Sequence, residues 1–135
     1  DLTTNQTDLL VEESDGRLSV SPNQEQLYFT RQGWIWRINL ETGEERREAR
    51  LEETSSRASW ELNHDKIYLM RQEGPSLPAL FRYDLLSERL EKVIELDMPP
   101  AKSYPVFAIS PNGQILASTS ISPAVREIRF LKYPE

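Results

Sequence analysis

The single histidine, His64, stands beside Asp65 and five residues after Ser59. Hydroxyl, imidazole and carboxylate are the groups of a hydrolytic relay, in which the imidazole takes the hydroxyl proton and the carboxylate fixes its tautomer. Such a relay on an α/β scaffold also needs a nucleophile raised on a sharp turn, and Gly-x-Ser-x-Gly occurs nowhere in the 135 residues. His64 falls within the polar turn Asn63-His64-Asp65, so it reads as a solvated turn residue. Metal chemistry is no better served: one His and no Cys leave only carboxylates, without an EF-hand pattern. The acidic run from Glu44 to Glu53 is interleaved with Arg46, Arg47 and Arg50 and reads as a solvated face. The five glycines form no phosphate-cradling loop. No catalytic residue, metal or cofactor is therefore expected, and the chain reads as a non-enzyme.

Recognition is the chemistry that remains. Arg and aromatic side chains are the preferred anchors of interfaces, and Arg31, Trp34, Arg57, Arg71 and Tyr104 occupy loop positions. These five are the candidate binding residues, for a protein or a small-molecule ligand. Trp34 and Trp36 also suit plain packing between sheets, because aromatic side chains carry large apolar area.

The elements that hold these residues come from a repeat. Leu27-Tyr28-Phe29-Thr30-Arg31-Gln32 returns forty positions later as Ile67-Tyr68-Leu69-Met70-Arg71-Gln72. Trp34 to Leu40 alternates as a strand does, and Phe81, Tyr83 and Leu85 fall where Trp36, Ile38 and Leu40 fell. Three columns recur: Val20, Trp60 and Ile109 before the first turn; Leu27, Ile67 and Ile115 opening the second strand; Arg37, Arg82 and Arg129 in the third. A spacing of 40 to 49 residues is that of propeller blades, and too long for leucine-rich or ankyrin repeats. The predicted units are residues 17–51, 57–96 and 105–133, preceded by one short strand over 8–13. Residues 44–53 and 85–96 are rich in helix formers with i,i+4 charge pairs. Their place as the last strand of a unit nonetheless predicts strands.

Composition agrees with a soluble globular chain: 38% hydrophobic and 28% charged residues. A net charge of -6 with scattered lysines argues against nucleic-acid binding, which needs clustered cations. No apolar run approaches the ~20 residues of a membrane helix, so any membrane link would run through a segment upstream of Asp1. A start at Asp1 reads as a processed or excised segment. The lack of cysteine fits an oxidising or a reducing compartment.

The turns Ser21-Pro22-Asn23 and Ser110-Pro111-Asn112-Gly113 resemble the Ser-Pro-Asp-Gly turn of TolB-type, WD-like propeller repeats. Ile35 to Gly43 is similar to the third-strand ending of that family, where Asn39 and Asp84 hold a position often occupied by Asp. The resemblance spans residues 17 to 133. Unit two departs from it at Glu61-Leu62-Asn63-His64, and unit three at Leu131. It implies an all-β fold of three four-stranded blades, half of a propeller. It also implies a protein-interaction or ligand-sensing module in the periplasm or otherwise outside the cytoplasm, such as the C-terminal sensor of a CadC/ToxR-like membrane-tethered regulator. The rival implication is an accessory propeller of a prolyl-oligopeptidase-like hydrolase, and a blander one is a purely structural dimerisation unit.

Closed propellers have about 4 to 8 blades, so three cannot close alone, and both end faces would present apolar surface. The third unit lacks a fourth strand, while residues 8–13 supply a spare one. A homodimer satisfies both conditions, each chain's first strand completing the other's third blade in a six-bladed ring.

Overall fold

The structure, a computed structural model, describes residues 9–14, 16–51, 60–71, 77–97, 107–121 and 126–132. Among them lie eleven strands and no helix: β1 (Leu18–Val20), β2 (Gln26–Arg31), β3 (Trp34–Asn39), β4 (Glu45–Arg50), β5 (Trp60–Asn63), β6 (Lys66–Arg71), β7 (Ala79–Asp84), β8 (Arg89–Glu95), β9 (Phe107–Ile109), β10 (Ile115–Ile121) and β11 (Arg126–Lys132). They form three antiparallel meanders, β1-β2-β3-β4, β5-β6-β7-β8 and β9-β10-β11. No described helix is long and apolar enough to cross a membrane. Leu9 to Glu13 forms no strand within this chain; Asp8 lies outside the described residues.

Local chemistry fixes the turns. In the first blade, the Ser21 hydroxyl donates to Asn23 Oδ1 at 2.6 Å and accepts the Gln26 N–H at 3.0 Å. Ser110 does the same in the third, donating to Asn112 Oδ1 at 2.6 Å and accepting from Ile115 N–H at 2.9 Å. Proline at the second turn position pre-sets φ for the bend. The β3–β4 and β7–β8 hairpins use an Asx turn. Asn39 Oδ1 accepts from the N–H groups of Glu41 and Thr42, both at 2.9 Å. Asp84 Oδ1 accepts from Leu86 and Ser87 at 3.0 and 2.8 Å. A short acceptor side chain is what both sites need.

The helix-forming segments 45–50 and 89–95 are strands because tertiary pairing outweighs a weak propensity. Each pairs along its neighbour and carries one bulge, opposite Ile35/Trp36 in the first blade and Leu80/Phe81 in the second. Beyond each lies the same anchor: the Leu51 N–H donates to Gly33 O, and the Leu96 N–H to Pro78 O, both at 2.8 Å. Leu51 and Leu96 are buried, in equivalent places.

Ladder register corrects three repeat columns. Leu27 pairs with Val20 and Leu116 with Ile109, so Leu116, fully buried, takes the place expected of Ile115. Leu62 rather than Trp60 is the counterpart of Val20, since Leu62 pairs with Ile67 and Trp60 with Leu69. Arg37 and Arg82 face Tyr28 and Tyr68, whereas the equivalent Ala117 faces Phe130, and Arg129 stands one residue away. A slip of one residue changes the face of the sheet.

The core lies between blades. One face of the first blade, with Tyr28, Ile35 and Ala49, packs on Trp60, Ile67, Leu69, Phe81 and Tyr83 of the second. The opposite face of the second, with Tyr68, Met70 and Leu80, packs on Phe107, Ile109 and Leu116 of the third. Trp60 seals the first junction, donating its indole N–H to Thr30 Oγ1 at 2.9 Å. The outer faces remain open. Leu18 and Val20 are 57% and 52% exposed at one end, and Ile128 is 68% exposed at the other.

Candidate functional site

The β2–β3 hairpin brings Arg31 and Trp34 together as a ladder pair. The Arg31 guanidinium lies 4.1 Å from the Trp36 ring centroid and 5.2 Å from that of Phe29, and it pairs with Glu45. Trp36 donates its indole N–H to the Arg31 carbonyl at 3.2 Å. Arg47 stacks over Trp34 at 4.9 Å and over Trp36 at 5.9 Å. Trp34, Trp36 and Phe29 thus form an Arg-covered aromatic surface on the open side of the first blade, rather than a seam between blades of this chain.

Arg71 repeats the Arg31 position in the second blade, with its guanidinium 4.5 Å from the Phe81 ring. There the surface is closed, because the first blade packs over it. Arg31 and Arg71 therefore share a stacking role, and Arg31 with Trp34 make the accessible version. Arg57 and Tyr104 lie outside the described residues, as does Ser59. His64 and Asp65 occupy the β5–β6 turn, His64 at φ +55°, and Asp65 pairs with Lys66 at 2.9 Å. No cluster of metal-ligating side chains occurs among the described residues.

The sequence reading missed Glu48. The acidic run was expected to be solvated throughout, yet the Glu48 side chain is 1% exposed. The bulge on β4 puts it out of strand alternation and turns it into the first junction. Its carboxylate lies 2.9 Å from Arg37 Nε and 3.8 Å from Arg46 Nε, and accepts from the Tyr83 hydroxyl at 3.5 Å. Burial holds its carboxyl above the usual carboxylate range, against the pull of Arg37 and Arg46. Arg37 pairs with Glu48, and Arg82 pairs with Glu91. Asp84 caps its own turn, and hydrogen bonds from Ser87 draw its carboxyl below its ordinary value.

At the far end of the sheets from the β2–β3 hairpin, a cleft of about 540 Å³ opens between the second and third blades. Tyr68, Arg82, Lys66, Lys92 and His64 line it, under the turn Pro111-Asn112-Gly113. Asn63 braces that turn, donating to the Ser110 carbonyl at 3.0 Å.

This geometry is that of TolB-type β-propeller blades. TolB from Acinetobacter baumannii matches over 98% of this chain with a TM-score of 0.66 at 16% identity. The protein assigned as TolB in Agrobacterium tumefaciens matches over 92% with a TM-score of 0.61 at 14% identity. Tricorn protease matches over 83% with a TM-score of 0.54 at 14% identity. The chain spans 34% and 48% of the two TolB chains and 12% of the protease. No family model and no curated protein matches the sequence. At these identities the likeness establishes the fold: an all-β run of propeller blades.

Proposed function

We propose that the chain is a non-enzymatic interaction or ligand-sensing module that works inside a complete propeller ring, closed by a second copy of itself. The observation that carries this reading is the unlike pair of open faces. The chain twice packs a Tyr-bearing sheet face onto the aromatic face of the next blade. Its first blade presents an unused aromatic face, and its third an unused face bearing Ala117 and Ile128. The two are complementary by construction of the repeat, and a two-fold ring brings them together twice. Leu9 and Leu10, both exposed, are the side chains a strand over 8–13 would bury along β11 of the partner. Arg31 and Trp34 then stand beside the closed junction, where a partner protein or ligand meets an Arg-aromatic anchor.

Light scattering tests the assembly: the mass in solution is expected at about twice 15.7 kDa, and deleting residues 1–13 should weaken it. A stable monomer overturns the ring. An extracytoplasmic setting and a role as sensor of a membrane-tethered regulator rest on the TolB-type resemblance alone. Sequence upstream encoding a winged helix and a membrane span would support them. The tricorn protease likeness favours a second reading, an accessory propeller of a hydrolase. It requires catalytic groups in a flanking segment, with Gly-x-Ser-x-Gly as the feature to seek.

A further inference from the structure

The two junctions within the chain are made of the same parts, with one exchange. In the first, Tyr28 and Arg37 are ladder partners, and the bulge residue Glu48 brings a carboxylate onto Arg37. In the second, Tyr68 and Arg82 are ladder partners in the same way. Here the bulge residue is Val93, between the pairs Leu80–Ile94 and Phe81–Lys92. Valine brings no charge, and in front of it lies the 540 Å³ cleft.

We propose that this cleft binds a small organic carboxylate, seated on Arg82 and Tyr68 as the chain's own Glu48 carboxylate is seated on Arg37. Three cationic side chains, Lys66, Arg82 and Lys92, line the cleft against two acids, Asp65 and Glu91. Lys66 is also held by Asp84 at 3.9 Å and Lys92 by Glu95 at 3.3 Å, from outside the cleft lining. Glu91, 58% exposed, holds Arg82 from the solvent side through Nε, at 2.8 Å, and Nη2. A guanidinium has five donors in a planar fork suited to carboxylates, more than the two that reach Glu91. The volume, within the ~300–1,000 Å³ of ligand pockets, leaves ample room for a molecule of a few carbons. The roof is close: a Cβ at Gly113 would stand 2.8 Å from the Tyr68 hydroxyl, so the glycine keeps the Tyr68 end of the cleft clear. The site lies inside one chain and stands whether or not the ring closes.

The test is an amide and arginine Nε NMR titration of the full chain with succinate and with acetate, at constant ionic strength, with chloride as control. Saturable shifts at Tyr68, Arg82 and Gly113 are expected, with a millimolar dissociation constant. Arg82→Gln should weaken binding at least about tenfold. Val93→Glu, which supplies the carboxylate from within, should abolish the saturable shifts. Should Val93→Glu lose its native spectrum, Tyr68→Phe and Arg82→Gln decide between them: unchanged affinity in both overturns the proposal. So do shifts that chloride reproduces at equal ionic strength, or the absence of saturation in the native sequence.

Discussion

Replacing Trp60 by phenylalanine probes the seal between the first two blades. Trp60 is fully buried, and its indole N–H is the donor to Thr30 Oγ1 at 2.9 Å across the junction. Thr30 is itself buried, so Trp60→Phe strands a hydroxyl away from water. That costs about 1–3 kcal/mol, before the smaller ring's cavity is added at about 24 cal/mol per Å³. Thr30→Val alone strands the indole N–H at a similar cost, about 1–3 kcal/mol. In the double variant neither group is present, and the penalty of the second change should largely vanish. The cycle should therefore return a coupling of about 1–3 kcal/mol, measured by urea unfolding at one fixed protein concentration so that any association cancels. Additivity within ~0.3 kcal/mol would refute the cross-blade bond. Trp60→Ala sets the scale: it should cost about 3–5 kcal/mol, a large part of the ~5–15 kcal/mol typical of a domain.

Three further outcomes follow from the turns and the buried acid. Because burial raises the Glu48 carboxyl above its ordinary 4.5, the folded chain holds that proton more tightly than the unfolded one. The associated stability is present below 4.5 and is lost as pH rises through the raised value. The stability difference between the native sequence and Glu48→Gln should thus fall as pH rises from 4.5 through the raised value, as followed by chemical unfolding across pH. Gly43 and Gly113 both hold positive φ, +74° and +71°, but only Gly113 has a neighbour, the Tyr68 hydroxyl, in the way. Gly43→Ala should cost about 1 kcal/mol for the left-handed backbone, and Gly113→Ala clearly more, read as Tm in parallel melts. Asp84→Asn should keep the second Asx turn, as Asn39 keeps the first, while removing the stability that the native carboxylate loses as pH falls through its lowered value.

The fold was legible because its signals are local. A serine hydroxyl bridging Asn23 and the Gln26 N–H leaves Ser-Pro-Asn in the sequence, and the Arg-aromatic stacks leave Arg31 and Arg71 forty residues apart. What escaped depends on phase. A bulge inserts one residue into the alternation, so nothing in Arg46-Arg47-Glu48-Ala49 announces that Glu48 turns inward. The second blade turns between β5 and β6 in two residues, His64 and Asp65, and the other blades take five and five, from Ser21 to Glu25 and from Ser110 to Gln114. Counting back from the turn therefore misplaced Trp60, whereas Ile115, in the place of Gln26, was misplaced because it is the first apolar residue after its turn. The contrast between Glu48 and Val93, on which the cleft depends, becomes visible only when the two ladders are laid side by side.

The junctions in this chain have a direction: the tyrosine side of one sheet always meets the aromatic side of the next. The two ends of the arc are consequently a plug and a socket, not two copies of one surface. A charge introduced at Val20 blocks the socket and spares the plug, and one at Ile128 does the reverse. In a ring of two chains, protomers carrying one change each can meet through a single sound junction, never two, so mixing them should give an open pair that neither variant forms by itself.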